Sequence, residues 1–304
     1  MRYVFIVNPA AGKKDPYRSF FPYISNYLKS QHISYTVHKT EHPMHAAELA
    51  AEEADKGDPV RIFGLGGDGT LSEIAAGAAG KKNAEVGIFP CGSGNDYIKT
   101  FGNEADFLSP EKQLSASSKT VDLIRSSDKI SINLCTVGMD AKIPIEVAKM
   151  KRFPLLSGPA AYDIGLVKVL LGKLGDELQI TIDGTKIYKD SFLMAVAGCG
   201  RYYGGGYCAA PEALPDDGLL DFVLIRKPAL HRIPKLVSLY KAGKHLAAKE
   251  FTGLLTFCRG KKMEIEAQRP IAENLDGECK FVNHASFEII PKSLNFIVPA
   301  ADNA

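Results

Sequence analysis

Residues 64–73 read GLGGDGTLSE. These residue types suit an anion site, because bare glycine N–H groups approach a phosphate closely and a following helix N-terminus adds partial positive charge. Asp68, at the centre of the loop, is the anomaly, since a carboxylate repels phosphate. The flanks fit a strand-to-helix junction: PVRIFG at 59–64 is a largely apolar run suited to a buried strand, and Leu71, Ile74, Ala75 and Ala78 recur at helical spacing. Thr70 and Glu73 match the S/T-x-x-E box, which predicts that they open the helix. A P-loop is excluded, because it needs a lysine after its last glycine and none occurs between Arg61 and Lys81. Gly64, Gly66 and Gly69 also satisfy the dinucleotide fingerprint, but that fingerprint wants an acid at the end of the next strand, about 20 residues on. The next run, EVGIFP at 85–90, carries its acid at the start and leads into a second glycine loop, PCGSGND. The dinucleotide match therefore reads as accidental.

The elements that position these loops read as alternating α/β over roughly the first 122 residues. RYVFIV at 2–7 is nearly continuous in apolar residues, as a strand covered on both faces is. A helix over 17–31 follows, then a strand at 33–37 leading to Thr40, and a helix over 43–56 stopped at Gly57. With the strands at 59–64 and 85–90, this predicts an open parallel sheet with helices on both faces. Beyond Thr120 the pattern changes to short, partly alternating β-rich segments at 130–136, 178–183, 192–197, 219–225, 262–267 and 285–290. These predict an antiparallel β-sandwich domain with helical insertions near 159–173 and 231–249. The second insertion is basic, with Arg226, Lys227, Arg232, Lys235, Lys241, Lys244 and Lys249 around it, which suits either a solvated helix surface or an anionic membrane. Lys149, Lys151 and Arg152 form a second basic candidate.

Composition excludes several classes. A net charge of +2 over 304 residues argues against nucleic acid. The apolar run after Met1 stops at Asn8–Pro9, so no signal peptide is expected, and no stretch reaches the apolar length of a membrane span. Six cysteines without a C-x-x-C pair read as free thiols of a cytoplasmic protein. His38, His42 and His45 read as a solvated loop and helix start rather than a metal site.

Six motifs occur in one order: NPAAGK at 8–13, GGDGT at 66–70, PCGSGND at 90–96, VGMDA at 137–141, YGGGYCAAPEALPDDGLLD at 203–221 and NLDGE at 274–278. Over nearly the whole chain this resembles the bacterial diacylglycerol kinase-like lipid kinases, relatives of sphingosine and ceramide kinases and more distantly of NAD kinases. The resemblance implies an N-terminal α/β nucleotide domain over 1–122, completed by a strand returning within 292–304, and a β-sandwich domain for the lipid substrate over 123–291. It implies ATP in the cleft between them and a Mg²⁺ network organised by Asp68 and Asp96. That network answers the anomaly, since the metal supplies the positive charge that lysine supplies in a P-loop. Nucleotide contacts are implied for Thr40, Gly66, Gly67, Asp68, Gly69, Thr70, Ser72 and Ser93, with Asn8 and Gly12 shaping the first loop.

Glu278 is the implied general base for the acceptor hydroxyl, with Asp276 assisting its orientation. Read without the resemblance, DGE is a hairpin turn. DDGLL at 216–220 resembles the family's structural Mg²⁺ site, with Asp217 giving its side chain and Leu214 and Leu219 their carbonyls. Ser72, Met139, Cys91 and Gly94 depart from the family pattern without removing a proposed catalytic group. The implied activity is ATP- and Mg²⁺-dependent phosphorylation of a lipid alcohol, diacylglycerol first, at a membrane surface visited peripherally. The alternatives are an NAD kinase, whose second loop would read like GSTAY, and a nonenzymatic nucleotide or lipid sensor. Nothing in the sequence sets the oligomeric state, and a homodimer is allowed.

Overall fold

In a computed structural model, residues 1–150, 169, 172 and 174–300 are described. The first strands, β1 (Arg2–Val7), β2 (Thr36–Lys39), β3 (Val60–Gly66) and β4 (Ala84–Pro90), are all parallel in the spatial order β2-β1-β3-β4. Alternate side chains of these strands feed different cores, as a strand's two-residue period dictates. Phe5, Phe63 and Phe89 pack with Ile24 and Leu28 on one face, and Val4, Ile62 and Val86 pack with Ala50, Leu71 and Ile74 on the other. Helices therefore cover both faces.

The helix expected over 17–31 is two pieces, α1 (Pro16–Ser19) and α2 (Phe21–Ser30). Pro22 has no N–H to give the Arg18 carbonyl, so a continuous helix would lose a bond there. The second strand starts at Thr36, where pairing with Val4 begins, rather than at residue 33. Next come α3 (His45–Asp55) and α4 (Asp68–Ala78), which follow Met44 in a left-handed conformation and the glycine loop, respectively. After β4, two short helices, α5 (Glu104–Leu108) and α6 (Pro110–Ser115), lead into the second half of the chain.

That half is β-rich. Its strands are β5 (Ser117–Ser126), β6 (Lys129–Ser131), β7 (Leu134–Gly138), β8 (Asp176–Ile182), β9 (Lys186–Gly198), β10 (Tyr202–Tyr203), β11 (Tyr207–Cys208), β12 (Leu220–Arg226), β13 (Leu255–Gly260), β14 (Lys262–Leu275) and β15 (Glu278–Val298). The long strands β9 and β14 each exchange partner along their length, pairing with β7 at one end and β8 at the other. Helix α7 (Met139–Met150) leaves β7 and packs on β14 and β15. Strand β15 runs through both halves. Its first part pairs with β14, its later part pairs antiparallel with β5, and Asn295 and Phe296 pair in parallel with β4.

The helix expected over 231–249 is only α8 (Ile233–Lys241), preceded by a 3₁₀ turn at Leu230–Arg232. Gly243, at φ +69°, ends it while the Lys244 N–H bonds the Leu239 carbonyl, a glycine-terminated helix end. The insertion expected near 159–173 lies, apart from residues 169 and 172, outside the described residues, as do Lys151 and Arg152. Among the described residues no helix is long and apolar enough to cross a membrane, and all six cysteines are free thiols.

Candidate active site

Three loops converge at the C-terminal ends of β1, β3 and β4, where an open parallel sheet presents its ligands. The glycine loops meet backbone to backbone: a Cβ on Gly92 would lie 2.5 Å from Gly67 Cα, and one on Gly12 would lie 2.3 Å from the Cys91 carbonyl oxygen. The Cys91 N–H also donates to the Gly66 carbonyl at 2.7 Å. Side chains at these positions would push the loops apart.

Helix α4 opens at Asp68 with Gly67 as its cap residue, so the capping box expected at Thr70 and Glu73 does not form. A Cβ on Gly66 would sit 2.3 Å from Thr70 Oγ1, so glycine there is what lets Thr70 turn inward. The Thr70 hydroxyl instead accepts from Asn8 Nδ2 at 3.1 Å, and Glu73 accepts the Ala46 N–H of α3 at 3.2 Å. Those two bonds fix the first loop and α3 to α4. Gly69 is exposed with open space around it, Ser93 is exposed, and Thr40 is half-buried just past β2, its N–H on the Val7 carbonyl.

Asp68 reaches across to the second loop, where its Oδ1 accepts from the N–H groups of Asp96 at 2.6 Å and Tyr97 at 3.2 Å. Burial, followed by the charge of Asp96, raises its pKa, while these two N–H bonds work the other way. Asp96 is buried, its Oδ1 accepting from Lys99 Nζ at 2.6 Å and its Oδ2 from the Gly205 N–H at 2.7 Å. Lys99 also donates to the Gly94 carbonyl at 2.8 Å. Sequence reasoning missed Lys99; its place three residues after Asp96, on the 3₁₀ turn Tyr97–Thr100, was the available signal.

Asp276 and Gly277, both at positive φ, form the two-residue turn between β14 and β15. The Asp276 carboxylate accepts from Ser72 Oγ at 2.8 Å, Ser131 Oγ at 2.7 Å and the N–H groups of Ile132, Asn133 and Leu134 at 2.8, 3.2 and 3.1 Å. It ties the β-rich half to α4, one turn beyond Asp68, and takes up the Ser72 hydroxyl expected to face nucleotide. Glu278 follows at the exposed start of β15, paired with Lys129 Nζ at 2.5 Å.

Asp217 lies elsewhere, among Asp122, Asp216 and Asp221. Its Oδ1 accepts the Leu219 N–H at 3.0 Å and its Oδ2 pairs with the Arg259 guanidinium, whose Nε also holds Asp221 at 2.8 Å. Leu214 is largely exposed. Arg259 already brings positive charge to both carboxylates, so Asp217 as arranged does not fit a cation. Asp68 fits one better: its Oδ1 accepts two N–H groups, no cation pairs with it among the described residues, and burial, followed by the charge of Asp96 (itself paired with Lys99), raises its pKa, which a hard divalent ion would offset.

The ribbon of β10 and β11 links this centre to a cavity. Gly205, in its turn, donates to Asp96, while Tyr203 and Tyr207 on its strands line an apolar cavity with Ile143, Ile225, Leu236 and Phe251.

Residues 2–126 match the diacylglycerol kinase catalytic domain, and residues 133–298 match the YegS C-terminal NAD kinase beta sandwich-like domain. The chain belongs to the diacylglycerol kinase and YegS-type family of lipid kinases, phosphotransferases with an alcohol acceptor. Among relatives, a protein of Shewanella frigidimarina named a probable lipid kinase, YegS-like, is 29% identical over 79% of this chain and 76% of its own. A diacylglycerol kinase of Staphylococcus haemolyticus is 26% identical over 97% of this chain and 87% of its own. A solved diacylglycerol kinase from Bacillus anthracis shares the fold with a TM-score of 0.69 at 20% identity, covering 98% of this chain and 96% of its own. An NAD kinase from Archaeoglobus fulgidus, solved with ATP, shares it more loosely, with a TM-score of 0.54 at 15% identity over 98% and 93% of the two chains.

Proposed function

We propose that the chain transfers the γ-phosphoryl group of ATP, in the presence of Mg²⁺, to the hydroxyl of a lipid alcohol. The observation that carries this reading is the Gly205–Asp96 bond: one ribbon joins the carboxylate centre beside the glycine loops to an apolar cavity on the other side. A phosphate group fits the backbone N–H groups at the start of α4, with Gly69 leaving that approach open. Asp68 and Asp96 would hold Mg²⁺, which neutralises phosphate charge during transfer. Lys99, already on Asp96 and the second loop, keeps that loop and its carboxylate in place.

Glu278, exposed at the mouth of the hairpin whose other residue Asp276 is anchored to α4, takes the proton of the acceptor hydroxyl. Lys129 orients its carboxylate. The apolar cavity receives acyl chain. Diacylglycerol, the acceptor in several relatives' names, belongs to the acceptor class. Lipid is presented at a surface, so we assign peripheral membrane contact to the lysines around α8, Lys241, Lys244 and Lys249; Arg226 and Lys235 are paired with Asp190 and Glu250.

The test is a labelled-ATP assay over lipid alcohols in mixed micelles, with NAD as the control acceptor. The expected result is phosphorylated lipid, no NADP, and a rate that rises with anionic phospholipid and falls with salt. NADP formation without phosphorylated lipid would overturn the reading. Nucleotide binding with no transfer to any acceptor would leave a sensor on a kinase fold.

A further inference from the structure

The sequence reads His38, His42 and His45 as a solvated loop and helix start. The structure separates these three and brings in a fourth residue. His38 turns to Glu53, its Nε2 2.8 Å from a carboxylate oxygen. His42 and His45 stack ring on ring instead, with centroids 4.5 Å apart and planes within 8°. Glu48 joins them from the first turn of α3, three residues after His45 and so on the same face. Each of His42, His45 and Glu48 offers one ligand atom, and these atoms all lie within 4.8 Å of one another.

The turn that gathers them is local. The His45 N–H bonds the His42 carbonyl at 3.2 Å, with Pro43 and Met44 between them and Met44 at φ +68°. Proline's fixed φ restricts this turn, and the left-handed residue after it closes the turn. His42 Nδ1 lies 3.0 Å from the Pro43 carbonyl, so it carries the proton and leaves the Nε2 lone pair free. A carbonyl on the other ring nitrogen is the outer partner that orients a ligating histidine. His42 Nε2 faces Glu48 Oε2 at 3.8 Å, too far for a hydrogen bond. In a tetrahedral site with bonds of about 2.0–2.1 Å, two ligand atoms stand about 3.3 Å apart. Both side chains are more than half exposed, so rotation about their own bonds closes that gap.

His45 differs, because its Nδ1 accepts the Glu41 N–H at 3.0 Å. An ion on Nδ1 takes that lone pair, and an ion on Nε2 needs the ring proton moved to Nδ1. Either way the Glu41 N–H loses its partner. Glu41 is exposed, so water replaces the lost bond at little cost.

We infer that His42, His45 and Glu48 form a site for a borderline divalent ion of the Zn²⁺ and Ni²⁺ class, separate from the Mg²⁺ site proposed at Asp68. Two imidazole nitrogens with one carboxylate suit these ions, whereas Mg²⁺ and Ca²⁺ take oxygen ligands. The start of α3 carries partial positive charge, which disfavours an ion held by charge alone. Imidazole coordination is therefore what holds the ion, with Glu48 offsetting part of its charge. An ion here ties the loop after Thr40 to α3, whose Ala46 N–H already bonds Glu73 of α4.

The test is calorimetric titration of the full chain with Ni²⁺ or Zn²⁺, without nucleotide and with Mg²⁺ in excess. One ion per chain is expected, and His42→Gln, Glu48→Gln and His45→Asn should each weaken it about tenfold or more. The asparagine oxygen can keep the Glu41 N–H, so His45→Asn removes a ligand without opening the turn. Co²⁺ as the probe should show d–d absorption without a thiolate charge-transfer band, which separates this site from the six cysteines. Amide NMR reads the turn directly. At an ion concentration that saturates only the wild type, the Glu41 N–H should shift there and stay in place in His42→Gln. Failure of the wild type to bind an ion, or affinity unchanged in His42→Gln and His45→Asn, would overturn the inference. So would Co²⁺ held only through thiolate, or a Glu41 amide indifferent to the bound ion.

Discussion

Removing the Asp276 carboxylate is the perturbation whose cost can be worked most directly. It accepts five hydrogen bonds, three from consecutive backbone N–H groups of the β6–β7 turn and two from the Ser72 and Ser131 hydroxyls. The hydroxyls can rotate to other partners, but the Ile132, Asn133 and Leu134 amides point to one place and cannot. Leaving a buried donor unpaired costs about 1–3 kcal/mol. The site is part-buried, so the low end applies, and three amides give about 3–5 kcal/mol for Asp276→Ala. That is a large share of the roughly 5–15 kcal/mol that holds a domain together. Alanine also tolerates the φ of +48° less well than aspartate, which adds in the same direction. Asp276→Asn keeps one acceptor oxygen and the turn conformation, and should cost about half as much. Ser72→Ala loses a single bond and should cost about 1 kcal/mol. Urea unfolding of the three variants gives the ranking through their midpoints at constant slope. Asp276→Ala within about 0.5 kcal/mol of wild type, or no costlier than Ser72→Ala, would refute the assignment of Asp276 as the anchor between the two halves.

Asp68→Asn keeps an oxygen for the Asp96 and Tyr97 amides while removing the charge, so the fold should persist and Mg²⁺-dependent turnover should fall by about 10²-fold or more, measured at saturating ATP. Glu278→Gln should lower kcat by about 10²–10⁴-fold with ATP affinity little changed; a loss below about tenfold with chemistry rate-limiting would assign the proton to another group. Because Arg259 occupies Asp217, any shift that Mg²⁺ gives the melting curve without nucleotide should be the same in wild type and Asp217→Ala, whereas a gain of about 2.7 kcal/mol at 100 times Kd that Asp217→Ala removes would restore a structural cation there. Asp140 should make stability fall as pH rises: its folded pKa of about 6 exceeds the ordinary 3.8, so the unfolded chain loses the proton first between those values, costing up to about 3 kcal/mol by pH 7. The difference between wild type and Asp140→Asn in urea should therefore widen from pH 4 to pH 7 in the variant's favour, and a pH-independent difference would contradict the burial of that charge.

The α/β half was legible because its signals are local. Apolar runs such as RYVFIV and the strand–glycine–helix pattern around Asp68 depend on neighbouring residues alone, and the parallel sheet follows from them. Boundaries slipped where a non-local partner decides: Thr36 enters β2 because Val4 is opposite it, and Thr70 leaves the helix cap because Asn8 is within reach. The family motifs singled out Asp68, Asp96 and Glu278, yet they carry no information on what each side chain touches. Asp276 reads as part of a generic DG turn, and its five donors come from residues 142 to 204 positions earlier in the chain, which only the fold brings to it. The burial of Asp140 is not legible because it depends on the ribbon at 202–208 folding over it, whereas Lys99 meets Asp96 and Gly94 locally, three and five residues away. Arg259 could not be matched to Asp217 without knowing that β12 and β13 are adjacent.

Strand β15 has a consequence for how the protein is made. The α/β half receives residues 294–298 between β4 and β5, so its sheet lacks a member until nearly 300 residues have left the ribosome. Until then the edge of β4 is unpaired, and Phe296, which packs against Tyr97, Phe101 and Phe107, is missing from the core on that side. The nascent first half must wait with an open strand edge and an aromatic gap, the two features that invite wrong pairing during synthesis. The α/β half thus closes its sheet only when the end of β15 arrives, and a chain cut before residue 294 should keep the loops and the cavity lining but leave the β4 edge open and the Tyr97, Phe101 and Phe107 rings without Phe296.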